Sequence, residues 1–230
     1  MADSALDNAL MARPRVRAPG GRDPEAFAQM RLRAIDGPPV DFQPGTISDK
    51  AGVSAVPARG ALQTLVDVWT AIQRNAQNAN VPLGELAPQA AKAHDRAVAS
   101  LRTAKKTVDD QARFLRERIE REALPRPDNH LSAEIRAAVS VTPGKAKQLA
   151  LQDPRVAGAI AHGPAFLSGL DPDTQASIRA AAIRAHPEHA ELAAREKASR
   201  KLQDAEDRFI AATASKIHSW MAAVPEGLGA

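Results

Sequence analysis

From residue 88 to residue 124 one set of positions recurs at alternating steps of three and four: Ala91, His94, Val98, Leu101, Lys105, Val108, Ala112, Leu115 and Ile119. That spacing places the whole set on one side of an α-helix over four heptads, with a polar interruption at Lys105, and a helix carrying such a seam needs another helix to cover it. Pro88 is read as the first helical residue and "PRP" at 125–127 as the stop.

Two further stretches have the same habit. Between Gly60 and Asn80, Leu62, Leu65, Val66, Trp69, Ile72 and Ala76 share a helical face, followed by the loop "NANVPLGELAP". From Pro187 to about Val224, Ala198, Leu202, Ala205, Phe209, Ala212 or Thr213, Ile217 and Trp220 form a third seam. Only seven residues are aromatic, none of them tyrosine, and alanine supplies much of the 44% hydrophobic content. Such a chain builds helices with thin seams rather than a broad core. The helix-seam interaction residues are Val98, Leu101, Val108, Leu115, Ile119, Leu202, Phe209 and Trp220. They cover one another in a bundle or are shared with neighbouring copies.

Three dipeptides, Thr142-Pro143, Asp153-Pro154 and Asp171-Pro172, combine a capping side chain with a proline at the first helical position. They predict short helices near 132–140, 143–151, 154–162 and 172–185. In the connector "HGPAFLSGL", Phe166, Leu167 and Leu170 are expected to plug a small core. The caps are unevenly spaced and the residues between them do not match, so no repeat is present. The Gly144-Lys145 pair does not make a phosphate loop, because Val139 stands where the first glycine is needed and Ala146 where the hydroxyl is needed.

Residues 1–59 contain Pro14, Pro19, Pro24, Pro38, Pro39, Pro44 and Pro57, interrupted by helix candidates at 4–13 and from Asp23-Pro24 through Phe27, Met30, Leu32 and Ile35. A stretch of this kind buries little against itself, so it is either disordered in isolation or an extended arm laid on another subunit. The expected fold is all-α: an elongated helical bundle or hairpin with a cluster of short helices and an extended Pro/Gly-rich N-terminal arm. Its segments are the arm at 1–59, a long helical hairpin at 60–124, the short helices at 125–186, and a long C-terminal helix and tail at 187–230.

Catalytic chemistry finds no foothold in the pattern. His186 and His189 in "AHPEHAE" lack a third ligand at a metal-binding offset, and the zinc-protease spacing is absent. Ser168 lacks the glycine-flanked elbow of a nucleophile. Asp109, Asp110, Glu117, Glu120 and Glu122 alternate with Arg113, Arg116, Arg118 and Arg121, the pattern of a solvated helix face. The reading is a non-enzyme with no catalytic, cofactor or metal site. No cysteine is present, so there is no disulfide framework. The start "MADSALDNALMARPRVR" has no apolar stretch of signal-peptide length, and no run of about eighteen apolar residues predicts a membrane span. The net charge is +4, and residues 88–124 carry nine Lys or Arg diluted by six Asp or Glu. At most a weak, non-specific DNA contact is expected.

The stretches "LSAEIRAAVSV" and "GAIAHGPAFLSGLDPDTQASIRAAAIRAHPEHAELAAREKASRKLQDAEDRF" carry a likeness. Over about residues 131–209 the chain resembles uncharacterised helical proteins encoded in the structural-gene regions of tailed bacteriophages and prophages of GC-rich bacteria. The resemblance rests on "PAFLSGL" followed by a charged, alanine-rich helix. It implies a virion component that meets copies of itself and other particle proteins, located in the particle or in the bacterial host cytoplasm during assembly. The alternative is a temporary scaffolding or assembly factor, or a DNA-contacting accessory protein.

Overall fold

The computed structural model describes Pro38, residues 42–77 and residues 83–222. The expected arm helices at 4–13 and 23–35 lie outside those residues. Among the described residues there are seven α-helices and no strand. They are α1 (Ala55–Gln77), α2 (Leu83–Ala123), α3 (Asn129–Val141), α4 (Ala146–Gln152), α5 (Pro154–Ala161), α6 (Pro172–Ala185) and α7 (His189–Ala222). Short 3-10 turns lie at Pro44–Thr46, Asp49–Ser54, Pro143–Lys145 and Ala165–Ser168. No described helix is long and apolar enough to cross a membrane.

Three starts differ from the sequence reading. Helix α1 begins at Ala55 rather than at Gly60, and Pro57 fits because the first turn of a helix has no partner for its amide. Helix α2 begins at Leu83 and contains Pro88. One backbone hydrogen bond is lost there, and the burial of Leu86 and Ala87, 1% and 0% exposed, offsets it. Helix α7 starts at His189, two residues beyond Pro187.

The residues group into two compact units whose boundaries cut across the segments read from the sequence. Among the described residues, one comprises those up to Ile47, those within Val56–Lys106 and those from Arg200 on; the other comprises Ser48–Ala55 and Thr107–Ser199. In the first unit the seams of α1, α2 and α7 share a core. Trp69 of α1 meets Phe42 edge-on at 5.7 Å and Phe209 of α7 at 5.8 Å, and His94 of α2 stacks on Phe209 at 5.1 Å. Each such pair contributes about 0.5–1.5 kcal/mol beyond area burial. Leu62, Leu65, Leu101 and Leu202 are fully buried in the same unit. Phe42 and Ile47 are buried as well, and the Arg59 guanidinium donates to the Ile47 carbonyl at 2.7 Å. The end of the proline-rich stretch is therefore packed against its own unit, a contact that its composition does not announce.

The second unit holds two apolar clusters. Leu115 and Ile119 of α2 pack with Leu192 of α7, and Ile183 of α6 lies against them. Leu124, Val139, Ala150, Ala157, Ile160 and Ile178 form the other cluster, which closes α3 to α6 around α5. Two of the three expected caps form: Asp153 accepts from the Arg155 amide at 2.8 Å, and Asp171 accepts from the Thr174 amide at 2.8 Å. Thr142 makes no side-chain cap bond, and Pro143–Lys145 is a 3-10 turn leading into α4.

Candidate interaction surface

The connector after α5 is ordered by its turn geometry. In the 3-10 turn Ala165–Ser168, residues three apart share a side, so Ser168 turns inward with the half-buried Ala165 while Phe166 and Leu167 turn outward. Gly169 ends the turn at φ +63, a left-handed conformation that suits glycine, and the Leu170 amide donates back to the Ala165 carbonyl at 3.2 Å. Leu170 is buried, at 8% exposed, whereas Phe166 and Leu167 are 75% and 45% exposed. The expectation that all three side chains plug the core is thus corrected to Leu170 alone.

The turn packs on α3, where a Cβ on Gly169 would sit 3.3 Å from the Ser140 Cα. Next to Ser140, the last residue of α3 is Val141, 80% exposed. Phe166 and Leu167 on the turn, and Val141 at the end of the helix that the turn packs on, therefore present apolar surface to solvent. Exposed large apolar side chains gathered in one place mark contact surfaces more often than singly scattered ones do.

The seam residues named from the sequence lie elsewhere. Val98, Leu101, Leu202, Phe209 and Trp220 are buried in the first unit and Val108, Leu115 and Ile119 in the second. They form interior packing within this chain, so they offer no free face to a neighbour.

The charged positions of α2 are also not simply solvated. Within the second unit Arg116 pairs with Glu196 and Arg118 with Glu188, each at 2.6 Å, Glu120 takes Arg179 at 3.5 Å, and Glu122 takes His186 at 3.1 Å. These bridges join α2 to α6, α7 and the turn between them. The three arginine pairs remain a third to half exposed, so each is worth at most about 1 kcal/mol. A buried cation escaped the sequence reading: Arg195 donates to the Ala51 carbonyl at 3.3 Å, to the Gln111 carbonyl at 3.0 Å and to the Glu191 carboxylate. It fastens the Asp49–Ser54 turn to α2 and α7, and Ser54 adds a hydroxyl donation to the Gln111 side-chain oxygen.

An open cleft of about 500 Å³ lies in the same unit, with Arg121, Arg126, Arg179 and His162 around it and Glu117 and Glu120 among them. The two carboxylates offset much of the arginine charge, and the His162 ring nitrogen Nε2 is engaged with the Leu124 carbonyl at 2.9 Å. Among the described residues no three His, Cys, Asp or Glu side chains converge as metal ligands do. Ser168 is fully buried with its hydroxyl unpartnered, out of reach of any substrate. No protein-family model, curated protein or solved structure matches this chain.

Proposed function

We propose that the chain is a structural or assembly component of a phage-like particle, working through protein–protein contacts as a homo-oligomer and with other particle proteins. The observation that carries this reading is the exposed apolar surface of the short-helix cluster, where Phe166 and Val141 stand 75% and 80% exposed. Covering side chains of this size gains about 1.5–3 kcal/mol each. Two or three of them in one contact, doubled by the symmetry of a homo-oligomer, supply part of what association needs. The alanine-rich seams support it too, because they make a helical frame that holds such a surface in a fixed place.

The test is a mass-spectrometric inventory of purified particles with stoichiometry, joined to light scattering of the isolated chain. A particle component is present in many copies, and Val141→Ser with Phe166→Ser lowers the mass of the assembled species. A chain found in precursor particles and missing from mature ones is a temporary scaffold. Absence from both, together with a monomer at every concentration, rejects the reading.

A further inference from the structure

We propose that the exposed face of α2 between Lys92 and Lys106 is a contact track for the phosphate backbone of duplex nucleic acid. At about 100° per residue, Lys92, Arg96, Ala99, Thr103 and Lys106 fall within about 40° of a single line along the helix. All five are exposed, while Leu86, Ala90, Ala97, Leu101, Ala104 and Val108 are buried on the opposite side. The track runs about 21 Å, the length of roughly six phosphates of one strand.

Of the six acids that dilute the charge of this helix as a whole, five lie beyond Lys106 and only Asp95 falls on this stretch. Along the line, the nearest carboxylates are Glu85 before Lys92 and Asp110 after Lys106. Asp95 lies to the side, with its carboxylate 3.2 Å from the His94 ring. Arg102 points away to Glu206 at 2.6 Å, and that glutamate is buried. No described carboxylate pairs with Lys92, Arg96 or Lys106.

The same asymmetry holds for the units. Described residues of the first carry eleven Lys or Arg against six Asp or Glu, whereas the second has fourteen of each. A straight edge that presents three exposed cations and no carboxylate on its own line is complementary to a polyanion. The line has no large apolar side chain to enter a lipid layer and no aromatic ring to stack an unpaired base, which favours a duplex backbone over a membrane or a single strand. The inference stands apart from the particle reading, since it uses only the placement of charges on α2.

The experiment titrates the full chain into two unrelated labelled DNA duplexes between about 50 and 200 mM salt. Lys92→Gln, Arg96→Gln and Lys106→Gln are combined and compared with Lys145→Gln, Lys147→Gln and Arg184→Gln, three exposed cations of the second unit. Neutralising three phosphate contacts reduces the log–log salt slope by about 2.7, so the fourfold salt increase weakens the parent about 40-fold more than the track variant. The control triple variant keeps most of the parent slope, both duplexes bind alike, and Lys92→Arg with Lys106→Arg restores binding. Equal losses in the two triple variants, no duplex binding by the parent at the lowest salt, or stronger track-dependent binding to single strands or phosphatidylserine vesicles would each overturn the proposal.

Discussion

A Cβ on Gly158 would lie 1.7 Å from the Pro125 carbonyl oxygen and 2.8 Å from its carbonyl carbon. Helix α5 therefore meets the segment after α2 backbone to backbone, with Ala157, Ala159 and Ile160 buried beside the contact. Nothing flexible can yield there, so Gly158→Ala forces the two segments apart and costs about 3 kcal/mol or more. Gly144→Ala is the control, because nothing stands within 4 Å of its Cβ position, and it changes stability by less than about 0.5 kcal/mol. Urea unfolding of both variants measures the difference. A Gly158→Ala protein as stable as the parent would contradict the close approach.

Arg195 satisfies two main-chain carbonyls, of Ala51 and Gln111, as well as the Glu191 carboxylate, and its side chain is 10% exposed. Arg195→Met keeps much of the volume and removes every donor, leaving those acceptors without their partner at a cost of about 3 kcal/mol. Arg195→Lys recovers little, since one ammonium cannot span the positions that a planar guanidinium reaches. The local readout is tryptic cleavage after the exposed Lys50, in the turn that Arg195 fastens. It accelerates in both variants, and unchanged cleavage would show that the turn is held by other contacts.

What the sequence reveals about this fold is its periodic part. Leu101, Leu115, Phe209 and Trp220 sit where three-four spacing puts them, because burial of a helical face is imposed at every turn and leaves a repeated mark. Asp153 and Asp171 are legible for a similar reason, as capping is decided within three residues of the chain. Pro88 misleads, since proline is tolerated early in a helix when buried neighbours on the same turn offset the missing bond. Phe166 misleads in another way: a large apolar residue in a short connector reads as core, and only the 3-10 turn determines that it faces out. Arg195 is not legible as a buried cation, because its i,i+4 pair with Glu191 looks like any helix-surface pair and its other partners lie 84 and 144 positions away. The cationic track is legible only once the helix is divided, since Asp109, Asp110, Glu117, Glu120 and Glu122 all lie beyond Lys106.

The capping aspartates set a pH dependence. Hydrogen bonds from the Arg155 side chain and amide hold the Asp153 carboxyl below its usual range, and those from the Thr174 hydroxyl and amide do the same for Asp171. A group with a depressed folded-state pKa stabilises the fold above its unfolded value of about 3.9, and that contribution fades as the pH falls through the folded value. Asp153→Ala and Asp171→Ala therefore lower the melting temperature at pH 7, and the deficit shrinks as the pH falls below the unfolded value of about 3.9. Thr142→Ala, whose hydroxyl makes no cap bond, leaves the melt unchanged at either pH. A deficit of the same size at pH 7 and pH 2.5 would mean that the aspartates act by packing and not as charged caps.

Leu101 and Leu115 are 0% and 3% exposed on the same helix, one in each compact unit. Cutting either to alanine removes buried methyl groups and leaves a cavity, at a cost of about 2–5 kcal/mol. The exposed face sets the comparison: Phe114 is 64% exposed, so Phe114→Ser changes stability by under about 0.5 kcal/mol. Thermal melts at two protein concentrations separate interior packing from packing against a second copy, because only a seam completed by another molecule makes the loss depend on concentration. The burial of both leucines within one chain leads to a loss that is large and the same at both concentrations. Val141→Ser with Phe166→Ser behaves in the opposite way, altering assembly while leaving the dilute monomer's melt intact. If Leu101→Ala and Leu115→Ala melt like the parent, the three-four seam is not what holds these helices together.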